Sequence, residues 1–198
     1  MPYGVKVQVL SSPPLDMNND EYWDQVEREV GAIKSAAVQG KNKSLLLTYV
    51  SAIDLRLTQV IQKVFISGED SNLLLSSDSS SLDFSQKIEL AYRMGLISST
   101  MKESLAALRK LRNSAAHTED DIDLQNGAVS SKIDHLYKGL SDDTRDTFPA
   151  ETVQDKLETF CALLIQHFIH RRNIEDPTAP RGLEQPFSYI RTKTQKKK

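Results

Sequence analysis

Six apolar residues, Leu46, Val50, Ile53, Leu57, Val60 and Val64, follow one another at spacings of 4, 3, 4, 3 and 4. That alternation tracks the α-helical period and lays all six along one stripe. Leu47, Ile61 and Phe65 widen the stripe. The segment over residues 44–66 is therefore expected to be a long core helix that packs along a neighbour. Gly68 ends it, and the Ser- and Asp-rich stretch 67–81, around Leu73-Leu74-Leu75, reads as a flexible loop with one apolar tuck.

The same period recurs on both sides. Trp23, Val26, Val30 and Ile33 make one stripe after the cap candidates Asn18, Asn19 and Asp20. Phe84, Ile88 and Ala91 outline a short helix, with Tyr92 on its apolar stripe and Gly95 in the position where a left-handed residue stops a helix. Ser98 or Ser99 caps the next helix, which carries Met101, Leu105, Leu108 and Leu111. A weaker helix covers 129–140, and Pro149 starts a final one with Val153, Leu157, Phe160, Leu164 and Phe168 in a stripe. The strand-like alternation is confined to Val5–Leu10 in a Pro- and Ser-bearing arm, residues 1–19. The class is thus all-α, a helical bundle of four to six helices over residues 20–172, followed by a disordered basic tail at 173–198 that ends in Lys196-Lys197-Lys198.

Bulk properties exclude several function classes. The 198 residues suit one domain with a real core. A formal net charge of −2 argues against a general nucleic-acid coat protein without excluding a local site. The single cysteine, Cys161, rules out an internal disulfide and a Cys-based zinc site. Neither a signal peptide nor a membrane-spanning stretch is evident, so the expected location is cytoplasmic. No cofactor is expected.

The chemistry-bearing segment is Leu108-Arg109-Lys110-Leu111-Arg112-Asn113-Ser114-Ala115-Ala116-His117. Arg112 and His117 are the residue types that a metal-free phosphodiester cleaver needs, a cation to hold phosphate and an imidazole to move protons near neutral pH. In that reading a ribose 2′-hydroxyl attacks its own phosphate with His117 as base or acid. Arg112 stabilises the developing charge, and Asn113 orients His117 or a phosphate oxygen. The plainer reading has Arg112 binding carboxylates or carbonyls and His117 favouring a helix C-terminal dipole. On a continuous helix, residues five apart stand roughly 140° apart, so Arg112 and His117 converge only if the helix frays near Ala115-Ala116 or if a second chain supplies its own copy.

Two segments together, Phe84-Ser85-Gln86-Lys87-Ile88-Glu89-Leu90-Ala91-Tyr92-Arg93-Met94-Gly95-Leu96-Ile97 and Leu108 to His117, resemble the HEPN superfamily and, within it, the mannitol-operon repressor (MltR-like) group. The resemblance covers roughly residues 42–120 well and the last helix loosely. It implies an up-and-down HEPN-type bundle that pairs as a homodimer through the motif-bearing helices. It also implies one of two activities. One is a metal-independent endoribonuclease of toxin–antitoxin or antiviral-defence type, with Arg112, Asn113 and His117 as the catalytic set, an RNA substrate, and an antitoxin or defence-complex subunit as partner. The other is a non-catalytic regulator, of transcription for example, or a scaffold that acts through protein contacts. The acidic exit Glu119, Asp120, Asp121 and Asp123 departs from what an RNA-binding edge would favour.

Other residues weigh less. His167 and His170, three apart, could share a metal, but a position at the core edge fits His167 better. Glu27 and Glu29 read as a solvated face, Tyr92 as core, and Arg171-Arg172 with the Lys tail as a solubilising end.

Overall fold

The structure, a computed structural model, describes residues 20–38, 41–64 and 82–173. The N-terminal arm with its strand-like alternation, the loop at 67–81, Gly68, Phe65 and the Lys-rich tail lie outside the described residues. Seven helices form the described part: α1 (Asp20–Val38), α2 (Asn42–Val64), α3 (Phe84–Arg93), α4 (Ser99–His117), α5 (Gly127–Lys138), α6 (Asp142–Thr147) and α7 (Val153–Asn173). The architecture is the all-α bundle expected. Six helices have ten residues or more, and α6, of six residues, is an addition that no apolar period announced.

The α2 helix is the hub. It packs against α1, α3, α4 and α7, while α5 closes over α7 and α4. Leu46, Val50, Ile53, Leu57, Val60 and Ile61 are all buried, so the 4-3-4-3 stripe marks the buried face. By length and composition α2 would suit a membrane span, but half of that apolar window is buried among its neighbours. Its hydrophobicity is therefore accounted for by the core. Facing it from α7, Leu157, Phe160, Leu164 and Phe168 are buried as their spacing requires.

Local signals set the helix ends that shape the site. Asp83 and Gln86 form a capping box at the start of α3, each side chain accepting the other's backbone N–H. Gly95 has φ +70°, the left-handed conformation that turns the chain after α3 at no steric cost. Ser98, rather than Ser99, caps α4 by accepting from the Met101 N–H. The start of the last helix differs from expectation. Pro149 precedes it, and α7 begins only at Val153, where Thr152 and Asp155 bond reciprocally. That exchange satisfies the first-turn donors that Pro149 alone cannot.

Three polar assignments are corrected by packing. Glu29 is not on a solvated face: it pairs with Arg56 of α2 at 3.1 Å and with Arg172 of α7 at 3.3 Å. The Arg171-Arg172 pair is not a solubilising end, since Arg171 is buried and Arg172 also bonds Gln59. Tyr92 is not core; it is 40% exposed, with Lys102 Nζ 4.3 Å from its ring centroid. Periodicity could not separate these cases, because long side chains reach across helix edges.

His170 is buried with its ring stacked on Trp23, the centroids 6.1 Å apart. One turn earlier, burial pushes His167 down to about 3, reinforced by the nearby Arg171 guanidinium and by His170. A histidine held neutral in the folded state but free to protonate in the unfolded chain near its ordinary 6.5 makes the unfolded state bind more protons between these values. Stability is then fullest above about pH 6.5 and falls as pH drops toward about 3, by at most about 1.4 kcal/mol per pH unit. Urea midpoints measured at pH 5 and pH 7.5 should differ for the wild type and differ much less for His167→Gln. Equal pH dependence in the two proteins would rule out this origin.

Candidate functional site

The α4 helix continues unbroken through His117, and Thr118 is its C-cap. Fraying at Ala115-Ala116, one of the two routes by which Arg112 and His117 could meet, is therefore closed. Ala115 is buried in this chain's own core, so only Ala116 is exposed for a close approach by another helix. Arg112 and His117 are both exposed. They stand at the two edges of a stripe roughly 140° wide, with Asn113 and Ala116 between them.

Arg112 donates to the side-chain oxygen of its neighbour Asn113 at 3.2 Å. Asn113 thus holds the guanidinium rather than the imidazole in this conformation. His117 closes the C-terminal turn, where a cationic imidazole complements the partial negative charge of the helix end. Of the three sequence-derived site residues, one chain bonds Arg112 to Asn113 and sets His117 one turn beyond Asn113, roughly 140° round the helix from Arg112.

The acidic exit has a structural task that the sequence reading missed. Asp121 Oδ1 accepts the Lys43 backbone N–H at 2.7 Å, in the first turn of α2. The Lys43 ammonium in turn donates to the Thr118 carbonyl, and Asn42 Nδ2 donates to the Ile122 carbonyl at 3.1 Å. A carboxylate at a helix N-terminus is stabilised by orphan N–H groups and the helix dipole. Part of the negative charge after His117 is therefore spent on anchoring the chain to α2, while Glu119, Asp120 and Asp123 remain exposed. The signal was available in the sequence only as an aspartate and a lysine 78 positions apart.

A cavity of about 340 Å3 opens between α2, the start of α3 and the second half of α4. Ser51 and Asp54 of α2 line one side, Asp83 and Ser85 another, and Arg109, Arg112 and Asn113 the third. A second cavity of about 320 Å3 adjoins it along α3 and α4, sharing Ser85 and Arg109 and adding Gln86, Ile88, Glu89, Lys102 and Ala106. His117 lines neither. Among the described residues, no cluster of three or more His, Cys, Asp or Glu side chains is placed to hold a metal.

No family model and no curated protein matches this chain. Among solved structures, a chain in the X-ray structure of the MtlR–HPr complex from Escherichia coli is similar, with 17% identity and a TM-score of 0.55. The likeness covers 76% of this chain and 99% of that one. The shared feature is the fold: this chain has an MltR-like helical architecture.

Proposed function

We propose that this chain is a regulator or scaffold of the MltR-like type, cytoplasmic, working through contacts with a partner protein. The observation that carries the reading is the separation of Arg112 from His117 on one unbroken helix, which leaves a single chain without a convergent acid–base and phosphate-holding pair. Likeness in fold to a chain solved as part of a protein–protein complex supports it. HPr, the second component named in that complex, is the first partner to test.

A second reading draws on the exposed α4 stripe. Arg112, Asn113, Ala116 and His117 lie together on the unburied side of the last two turns, and a two-fold axis across this stripe would set Arg112 of one chain toward His117 of the other. That is the composite site of the HEPN superfamily, cleaving RNA without metal, with the toxin or defence role that such a nuclease implies. The homodimer it requires would bury at least about 1,000 Å2 in total.

One experiment separates the two. The purified chain is incubated with a mixed RNA pool in EDTA, and in parallel titrated with HPr by calorimetry. Protein-contact regulation predicts intact RNA and saturable binding of the partner. RNA cleavage that disappears in His117→Ala would overturn it in favour of the composite site. A monomer by light scattering at micromolar concentration would remove the composite site instead.

A further inference from the structure

The paired cavities between α2, α3 and α4 share only Arg112 and Asn113 with the exposed α4 stripe, and their charges are unevenly matched. Asp54 is already paired with Lys87 at 3.0 Å. Asp83 is engaged in the α3 capping box. Glu89 is held by both Arg93 and Lys102, each at 2.6 Å, and the Lys102 hydrogen bond, followed by that of Arg93, keeps its carboxyl below the ordinary range. Asp54 and Glu89 are therefore each paired with a cation, and Asp83 is bonded to the first turn of α3. Arg109 and Arg112, one turn apart on α4, have no ion pair among the described residues; Arg112 bonds only the neutral Asn113, and Arg109 is half-buried between the two cavities.

Half-burying a guanidinium with five donors and no acceptor is costly unless an anion completes it. Two forks a helical turn apart offer donors to several oxygens of one tetrahedral dianion, which a planar carboxylate fills less completely. Ser51, Ser85 and Asn113 add neutral donors around the same space. The N-terminus of α3 does not carry the site, because its capping box already satisfies it. The adjoining cavity, with Ile88 and Ala106 beside Gln86 and Lys102, has room for the body of a small ligand on the far side of Arg109.

We propose that this groove binds a small phosphomonoester, its phosphate between Arg109 and Arg112 and its body in the adjoining cavity. Arg109 is the anchoring residue, since it borders both cavities. The site would give a regulator a small-molecule input; it shares Arg112 with the RNA-cleavage reading but not His117, which lines neither cavity.

The test is calorimetric titration of the full chain with ribose 5-phosphate, inorganic phosphate, ribose and sulfate. Saturable binding is expected for ribose 5-phosphate, tighter than for inorganic phosphate and absent for ribose. Arg109→Gln should weaken it about 10- to 100-fold, the range for losing a charge-assisted contact, and Arg109→Gln/Arg112→Gln should abolish it. Unchanged melting temperatures would show that these variants stay folded, and His117→Ala should bind as the wild type does. Affinity that survives the double substitution overturns the proposal. So does affinity lost in His117→Ala, which would move the anion to the exposed end of α4. Equal binding of inorganic phosphate and sulfate to that of ribose 5-phosphate would remove the ligand body from the adjoining cavity and overturn the proposal as stated.

Discussion

Ile53→Ala and Leu57→Ala should each lower stability by about 2–5 kcal/mol, because both side chains are completely buried and truncation adds a cavity to the lost transfer energy. For a domain of this size that corresponds to a fall in melting temperature of roughly 4–20 °C. Both residues lie on the face of α2 that meets the surrounding helices, so neither cavity can collapse by movement of a loop. Leu55, two positions from each, is 53% exposed, and Leu55→Ala should stay within about 0.5 kcal/mol. Thermal denaturation of the three variants checks the contrast. Equal melting temperatures for Leu57→Ala and Leu55→Ala would mean that the buried face of α2 has been misplaced.

That contrast also explains how much of the fold was legible in the sequence. Apolar residues repeating at three and four positions identify a buried face because transfer from water is the largest favourable term and has a fixed helical period. The α2 and α7 stripes were readable for this reason, and the Gly95 turn and a serine cap at 98 or 99 from local backbone preferences. The short α6 was not, since six residues without a buried side chain have no apolar period to display. It rests on the Ser141 cap and on a link from Arg145 to Asp142.

Polar residues were read less well, because their roles depend on partners distant in sequence. Glu29 meets Arg172, 143 positions away, and Asp121 meets the start of α2, 78 positions away. Neither separation carries a periodic signal. Tyr92 failed differently. It occupies a position on the apolar stripe of a ten-residue helix, but the edge of that helix faces solvent and Lys102 covers the ring instead. The motif residues were easy to find and hard to interpret. The 140° turn between Arg112 and His117 could be calculated from the sequence, whereas the continuity of α4 that makes it matter could not.

Continuity of α4 gives the composite-site reading a quantitative demand. If each site takes Arg112 from one chain and His117 from the other, Arg112→Ala and His117→Ala homodimers both lack a complete site. His117→Ala should abolish cleavage, and Arg112→Ala should slow it roughly 10²–10³-fold, the usual cost of removing electrostatic stabilisation of a transition state. Mixing the two inactive variants and allowing subunits to exchange makes about half of the dimers mixed, and each mixed dimer has one intact site of two. Activity should then recover to roughly a quarter of the wild-type value. A site contained in one chain predicts no recovery, because every chain still lacks one of its residues. The product should end in a 2′,3′-cyclic phosphate, since the attacking 2′-hydroxyl belongs to the RNA itself. Failure of the mixture to recover, with wild-type cleavage present, would exclude a shared site. Absence of wild-type cleavage would leave the exposed Arg112–His117 stripe as a surface for a protein partner, where the same two substitutions should weaken binding of the partner independently of each other.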